Sequence, residues 1–416
     1  MSPPFGLTRR LLGRPASDPW QQVGDLIDSP IDWQGVWAEG LHILREVNEV
    51  AVPQMARRSQ GPLIDSAGLA VDVWVDADLH AGSFPLGDTT SVVLRGGMVA
   101  VTEQFGDFVA AMLHPARGRR PSEELIDAVA NWMDHAASPC DKFAVPTGPS
   151  GPWQEEAPLR SRLALAFVMC HELAHVYVAN VAGHAHEPDW AALSPRERTC
   201  RLEYEADATG FDALLAWLGH DSPGMSDGAV GRLSYMSAWT LLTGVGLLET
   251  FEPALRPATY PTAQQRLTRL HGYVRERYGD HTRSVDALGP DVDMVLAEAC
   301  RRQSAQRQEA GRAVDELVAS VAGPGRVSEA RAGDTLGSAY LVSGCETLRR
   351  IEDLFAHPDA DPDERARQMI WNVLGRRVPA AIWNSFSNRI GPYWITEWEM
   401  PRRRVRLGAK EPEETS

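Results

Sequence analysis

From Leu159 to Val178 the chain reads LRSRLALAFVMCHELAHVYV, a mostly apolar run with no glycine or proline in twenty residues. That pattern predicts a helix, and a helix brings His171 and His175, four residues apart, to one face a single turn from each other. Two imidazoles so placed form a metal-ligand pair. Glu172 projects beside them, where a carboxylate can take a proton from water activated by a metal. Nowhere else in the sequence do residue type and spacing together demand chemistry, so the other segments are read in relation to this helix.

Two histidines leave a tetrahedral zinc ion one protein ligand short. Downstream, Ser194, Pro195 and Glu197 have the order of an N-cap, a first helical position and the third residue of a capping box. In the helix they open, Glu203, Asp207 and Gly210 recur at helical spacing and share a face. Glu203 is the expected third ligand. Asp207, one turn on, is expected to accept the outer N–H of a ligand histidine and fix its tautomer. Gly210 lets the two helices approach closely, while Glu205 lies roughly 200° round the helix from Glu203 and is expected in solvent. His184 and His186, in the loop AGHAHEP, are the competitors for the third ligand position. A metzincin arrangement is excluded because Val181 stands where its third histidine belongs.

At these residues the chain resembles the gluzincin metallopeptidases, and within them the HtpX and CAAX prenyl protease family. That family pairs HExxH with a later E-x-x-x-D and then a segment resembling H-P-T-x-x-x-R, here Tyr260, Pro261, Thr262, Ala263, Gln264, Gln265 and Arg266. The resemblance covers His171, Glu172, His175, Glu203, Asp207 and Arg266 in order, with Tyr260 in place of the family's histidine. It implies a Zn²⁺ cofactor and a peptide substrate, with Tyr260 or Arg266 assisting the oxyanion. Tyr260 keeps a second reading, as a packing residue ahead of a helix. The short interval from His175 to Glu203 is closer to ImmA- and IrrE-like proteases, which cleave regulators.

The fold class that follows is α+β and mainly helical. A zincin-like core carries a small β-sheet and the HExxH helix, with helical regions on both sides. The expected divisions are a disordered leader over 1–19, a helical region over 20–60, and a metallopeptidase domain over 61–280. A C-terminal helical domain over 281–403 and a tail over 404–416 complete the chain. In the first helical region Trp33, Trp37, Leu41, Leu44 and Val47 or Val50 recur every three or four residues. Between Pro62 and Thr102 the period falls to two and β-branched residues gather, in AVDVWVDADL and TTSVVLRGGMVAVTE. Residues 91–101 are the candidate edge strand for aligning a peptide, with Gly96 and Gly97 as a bulge and a short helix after them. Residues 114–158 read as an insertion, either a lid or a surface excursion. Residues 233–248 are uncharged and mostly apolar, yet shorter than a membrane span, and predict a buried helix. Beyond Ser284, helices are expected over 301–321, 338–355 and 364–374, with Trp371, Trp383, Trp394 and Trp398 packing a helical domain.

A formal charge of -15 argues against sequence-independent nucleic-acid binding. The five cysteines are scattered, with no C-x-x-C pair, which fits a reducing cytoplasm and buried thiols. No segment predicts a membrane span, and nothing in the sequence sets the oligomeric state. The leading reading is a zinc-dependent metallopeptidase in which His171, His175 and Glu203 hold the metal and Glu172 is the base. Its alternatives are an ImmA-like regulatory protease, an Fe(II)-dependent peptide hydroxylase using the same two-histidine, one-carboxylate set, and a non-catalytic metal-binding scaffold.

Overall fold

The computed structural model describes residues 6–7, 32–51, 64–74, 81–86, 89–114, 122–137, 151–179, 190–251, 256–322, 328–356, 370–373 and 375–376. In chain order these form β1 (Gly6–Leu7), α1 (Trp33–Val50), β2 (Leu69–Trp74), β3 (Gly82–Leu86), β4 (Thr89–Arg95), α2 (Gly96–Leu113) and α3 (Glu123–Ala137). There follow α4 (Ala157–Ala179), α5 (Pro195–Asp221), α6 (Asp227–Phe251), α7 (Ala263–Tyr278), α8 (Arg283–Ala322) and α9 (Glu329–Ala356). The class is α+β and mainly helical, as the sequence predicts. Most of the expected leader, the loop with His184 and His186, Cys140, Trp383, Trp394, Trp398 and the tail lie outside the described residues.

Helix α4 is the axis of the fold. Every residue from 163 to 174 is buried, as expected of a helix that is apolar on all sides and must be covered all round. Helices α1, α2, α5 and α6 supply the cover. Helix α1 turns Leu44 and Val47 into the core, and its Trp37 indole N–H donates to the Val71 carbonyl of β2 at 2.8 Å.

The sheet has the order β1-β2-β4-β3, with β2 parallel to β4 and the other pairs antiparallel. Two expectations change here. Strand β4 ends at Arg95, and Gly96 opens α2 instead of a bulge, so the stretch 91–101 is half strand and half helix. Val99 and Val101 have strand propensity, but residues 96–102 are all buried and packing overrides it. Strand β4 is also interior, lying between β2 and β3, so the edge strand beside it is β3. Alternation does not reveal β3, which is five residues long and contains Gly82 and Pro85.

Helix α3, inside the stretch read as an insertion, belongs to the main core. Leu125, Ile126, Val129, Trp132 and Met133 are buried, and the Trp132 ring lies 5.2 Å from Phe105 and 5.8 Å from Phe108. Residues 115–121 and 138–150 of that stretch are outside the described residues. Helix α6 is buried along much of its length, as expected. Its Ser234 and Ser237 hydroxyls are satisfied by the carbonyls of Val230 and Leu233, at 2.9 and 2.7 Å. Among the described residues no helix is long and apolar enough to cross a membrane.

Helix α8 runs for 40 residues and starts well before the expected Arg301. Val292, Val295, Leu296 and Ala299 in its first half join the main core. Ala310, Val314 and Leu317 in its second half form a separate cluster with α9 and Trp371. Asp134 of α3 ties the junction, accepting from Gln303 Nε2 at 2.6 Å, Ser343 Oγ at 2.6 Å and the Cys345 N–H at 3.1 Å. Ser343 has non-helical backbone angles that interrupt α9, and Asp134 takes up the amide just beyond the break.

Because the Trp132 ring is enclosed by α2 and α3, Trp132→Ala is expected to destabilise the chain by about 3–5 kcal/mol in urea unfolding. A mobile lid over the site would lose no more than about 0.5 kcal/mol.

Candidate metal centre

Helix α4 presents His171, Glu172 and His175, and α5 presents Glu203 and Asp207. Helix α5 is started by the capping box read from the sequence: the Ser194 side chain accepts from the Glu197 N–H and Glu197 reaches back to the Ser194 N–H. Gly210 then sets the distance between the helices. A Cβ placed there would lie 2.9 Å from His171 Cα and N and 3.1 Å from the Cys170 carbonyl carbon. These are backbone atoms and cannot swing aside.

The close approach brings three ligand atoms together. His171 Nε2 and His175 Nε2 are 3.0 Å apart. Glu203 Oε2 is 3.5 Å from His171 Nε2, and Glu203 Oε1 is 3.3 Å from His175 Nε2. Metal–ligand bonds of about 2.05 Å in a tetrahedron would separate the ligand atoms by about 3.3 Å, so the donor set fits a zinc ion. Among the described residues, these three form the group of histidine and carboxylate side chains close enough to share one metal.

Asp207 lies behind the first histidine. Its Oδ1 is 2.9 Å from His171 Nδ1, so the carboxylate accepts the Nδ1–H and turns Nε2 towards His175 and Glu203. Asp207 also holds Arg266, whose Nε donates to Oδ2 at 2.9 Å and whose Nη2 donates to Oδ1 at 2.6 Å. Arg266 Nη2 is 3.3 Å from both ring nitrogens of His171, which places the guanidinium against the face of the imidazole. Arg266 Nη1 is 3.4 Å from Glu203 Oε2.

Burial and mutual charge set the ionisation of the group. Burial opposes the charged forms of Glu203 and Asp207. Contacts from His171 and His175 to Glu203, and the Arg266 charge on both, hold the two carboxyls well below the usual range. Burial and Arg266 push the His171 imidazole down, but Asp207 and Glu203 outweigh them and lift it to about 9. Glu172 has less compensation, and burial pushes its carboxyl up.

Arg266 reaches the site from α7, and Tyr260 stands just ahead of that helix, near enough for its phenol to feel the charges of Glu203 and Glu172. Thr262 caps α7 in a capping box with Gln265, a T-x-x-Q string that sequence reading passed over. The Ala263 N–H donates to Glu249 Oε2 at 2.9 Å. The Tyr260 carbonyl accepts from the Arg256 side chain. Tyr260 is half-buried, and burial together with the charges of Glu203 and Glu172 pushes its phenol up, keeping the hydroxyl a donor. Glu205 is turned away from the ligand group and pairs with Arg201 at 3.1 Å; it is half-buried rather than in open solvent.

Residues 122–281 match the family model described as Peptidase U49. The match runs from α3 through α7, so it contains both helices of the candidate site, Tyr260 and Arg266, and it supports a peptidase with a protein substrate. No curated protein and no solved structure matches the chain.

Because Gly210 faces the backbone of His171, Gly210→Ala is expected to push α5 off α4. The predicted loss is about 1–3 kcal/mol of stability in urea unfolding, with weaker zinc binding in competition against a chromophoric chelator.

Proposed function

We propose that this chain is a zinc-dependent metallopeptidase that hydrolyses peptide bonds in a protein or peptide substrate. One observation carries the reading: two imidazole nitrogens face each other at 3.0 Å beside a buried carboxylate. Lone pairs at that distance repel unless a proton or a cation lies between them. Glu203 lies within 3.5 Å of both nitrogens and adds a carboxylate oxygen to the pair. A divalent cation bound among the three would satisfy the nitrogens and the carboxylate together.

His171, His175 and Glu203 would hold the zinc ion. When bound, it supplies a Lewis acid that polarises a carbonyl and lowers the pKa of water. Glu172 is the general base: its carboxylate takes the proton of the attacking water and delivers it to the leaving amine nitrogen. The raised pKa of Glu172 suits both halves of that transfer. Tyr260, protonated and half-buried, is the donor to the developing oxyanion. Arg266 is committed to Asp207, so its part is to hold His171 and Glu203 in place by charge and contact.

The substrate would lie extended along β3. Among the described residues no strand pairs with the outer side of β3, and β3 packs on α4. A peptide added there as a strand is aligned by backbone hydrogen bonds. The peptidase family match favours hydrolysis over the hydroxylase that the same donor set permits. The order of HExxH, Glu203, Asp207 and Arg266 keeps the likeness to the HtpX and CAAX prenyl proteases as the finer assignment, with an ImmA-like regulatory protease beside it.

Glu172→Gln is expected to retain one zinc per chain and to lose peptide cleavage by at least about 100-fold, whereas His171→Ala or His175→Ala loses the metal itself. Metal content and turnover on a peptide library measure both. Undiminished turnover by the Glu172→Gln chain contradicts the mechanism.

A further inference from the structure

Arg266 reaches Glu203 and Asp207 from a helix remote in sequence, so something must hold α7 at the correct height and rotation on α5. Arg266 lies in the first turn of α7, so its ion pair by itself does not fix the far end of the helix on α5. A second attachment is present. Asp212 of α5 accepts from Tyr273 of α7 through Oδ2 at 2.8 Å, and from Tyr278 through Oδ1 at 2.7 Å. Arg277 donates to the Tyr273 hydroxyl at 2.9 Å, lies 3.8 Å from Asp212 Oδ2, and covers the rings of Tyr273 and Tyr278. The Tyr278 ring is further packed by Phe211 at 5.6 Å and stacked on His281 at 5.4 Å.

The spacing makes the two attachments one device. Arg266, Leu270 and Tyr273 follow each other at intervals of four and three and share one face of α7. Arg266 and Tyr273 are seven residues apart, about 10 Å along the helix axis, and their partners Asp207 and Asp212 follow in the same order on α5. Leu270 and Val274 are buried in the same stretch of α7. With both oxygens of Asp212 engaged, α7 can neither slide nor roll without breaking a phenol hydrogen bond.

From this geometry we infer that Asp212 is a positioning residue for the metal centre, acting through α7 to hold Arg266 across Asp207 and Glu203. The inference rests on the metallopeptidase reading and adds to it a residue outside the ligand group. Its effect passes through Arg266 to the orientation of His171 and the carboxylate of Glu203. It therefore predicts a change in the metal's environment, beyond any change in stability.

The test uses the full chain with zinc alone and with cobalt(II) as a spectroscopic probe. Zinc affinity and the cobalt d–d absorption are measured for Arg266→Ala, Asp212→Ala, their combination, the Tyr273→Phe/Tyr278→Phe pair, and Tyr235→Phe. The last removes a hydroxyl that lies 2.7 Å from His271 Nδ1 elsewhere on α7, and it serves as a control for loss of stability. Asp212→Ala and the tyrosine pair are expected to weaken zinc binding about 10- to 100-fold and to shift the cobalt spectrum in the same sense as Arg266→Ala. The combined variant is expected to be no weaker than Arg266→Ala, and Tyr235→Phe to keep the wild-type spectrum. The tyrosine pair removes only two oxygens, so it carries the test if Asp212→Ala does not fold. Should Arg266→Ala weaken zinc binding while the Asp212 and tyrosine variants match wild type, the positioning role is overturned and the metal reading stands. Wild-type zinc binding by Arg266→Ala would likewise overturn the positioning role, whereas failure of the wild-type chain itself to bind zinc would overturn the metal reading.

Discussion

Burying three carboxylates in an apolar core is the constraint that the architecture answers. Glu172, Glu203 and Asp207 are 6, 5 and 1 % exposed, and an ionised carboxylate taken out of water without partners is too costly to keep. Each is met from a different direction. Asp207 takes the fork of Arg266 and the Nδ1–H of His171. Glu203 faces two imidazoles and the edge of the same guanidinium. Glu172 has the least compensation and is the group that burial pushes towards its protonated form. The cost of removing any one partner falls on the others, since they share one low-dielectric volume.

The packing of the helices follows from that requirement. Helix α4 must be enclosed for His171 and Glu172 to be buried, and α1, α2, α5 and α6 enclose it. Helix α5 must come within side-chain-free distance at Gly210 for Glu203 to reach the imidazoles. Helix α7 must bring in a cation, and it arrives with its own N-cap and tyrosine contacts to α5. The long α8 then joins this core to a second apolar cluster through the buried Asp134, whose partners come from α8 and α9. The two clusters therefore share an element as well as a boundary.

Local pattern made much of the site legible. A four-residue interval on an apolar run is enough to place His171 and His175 on one face, and Ser194-Pro195-Glu197 is enough to start the helix that carries Glu203 and Asp207. Both depend on helical period and backbone capping, which a few neighbouring residues determine. The sheet was less legible: the apolar, β-branched stretch after Arg95 has strand propensity, but burial on all sides makes it the first turns of α2. The edge strand β3 has too few residues to show a period. Asp212 with Tyr273 and Tyr278 spans more than sixty positions, and no local pattern encodes a hydrogen bond over that interval.

Zinc K-edge X-ray absorption on the zinc-loaded full chain tests the ligand set most directly. Two imidazoles per zinc, the remaining scatterers oxygen and no sulfur, is the spectrum that His171, His175 and Glu203 require. A sulfur shell at about 2.3 Å, or a third imidazole, would contradict a centre built from α4 and α5.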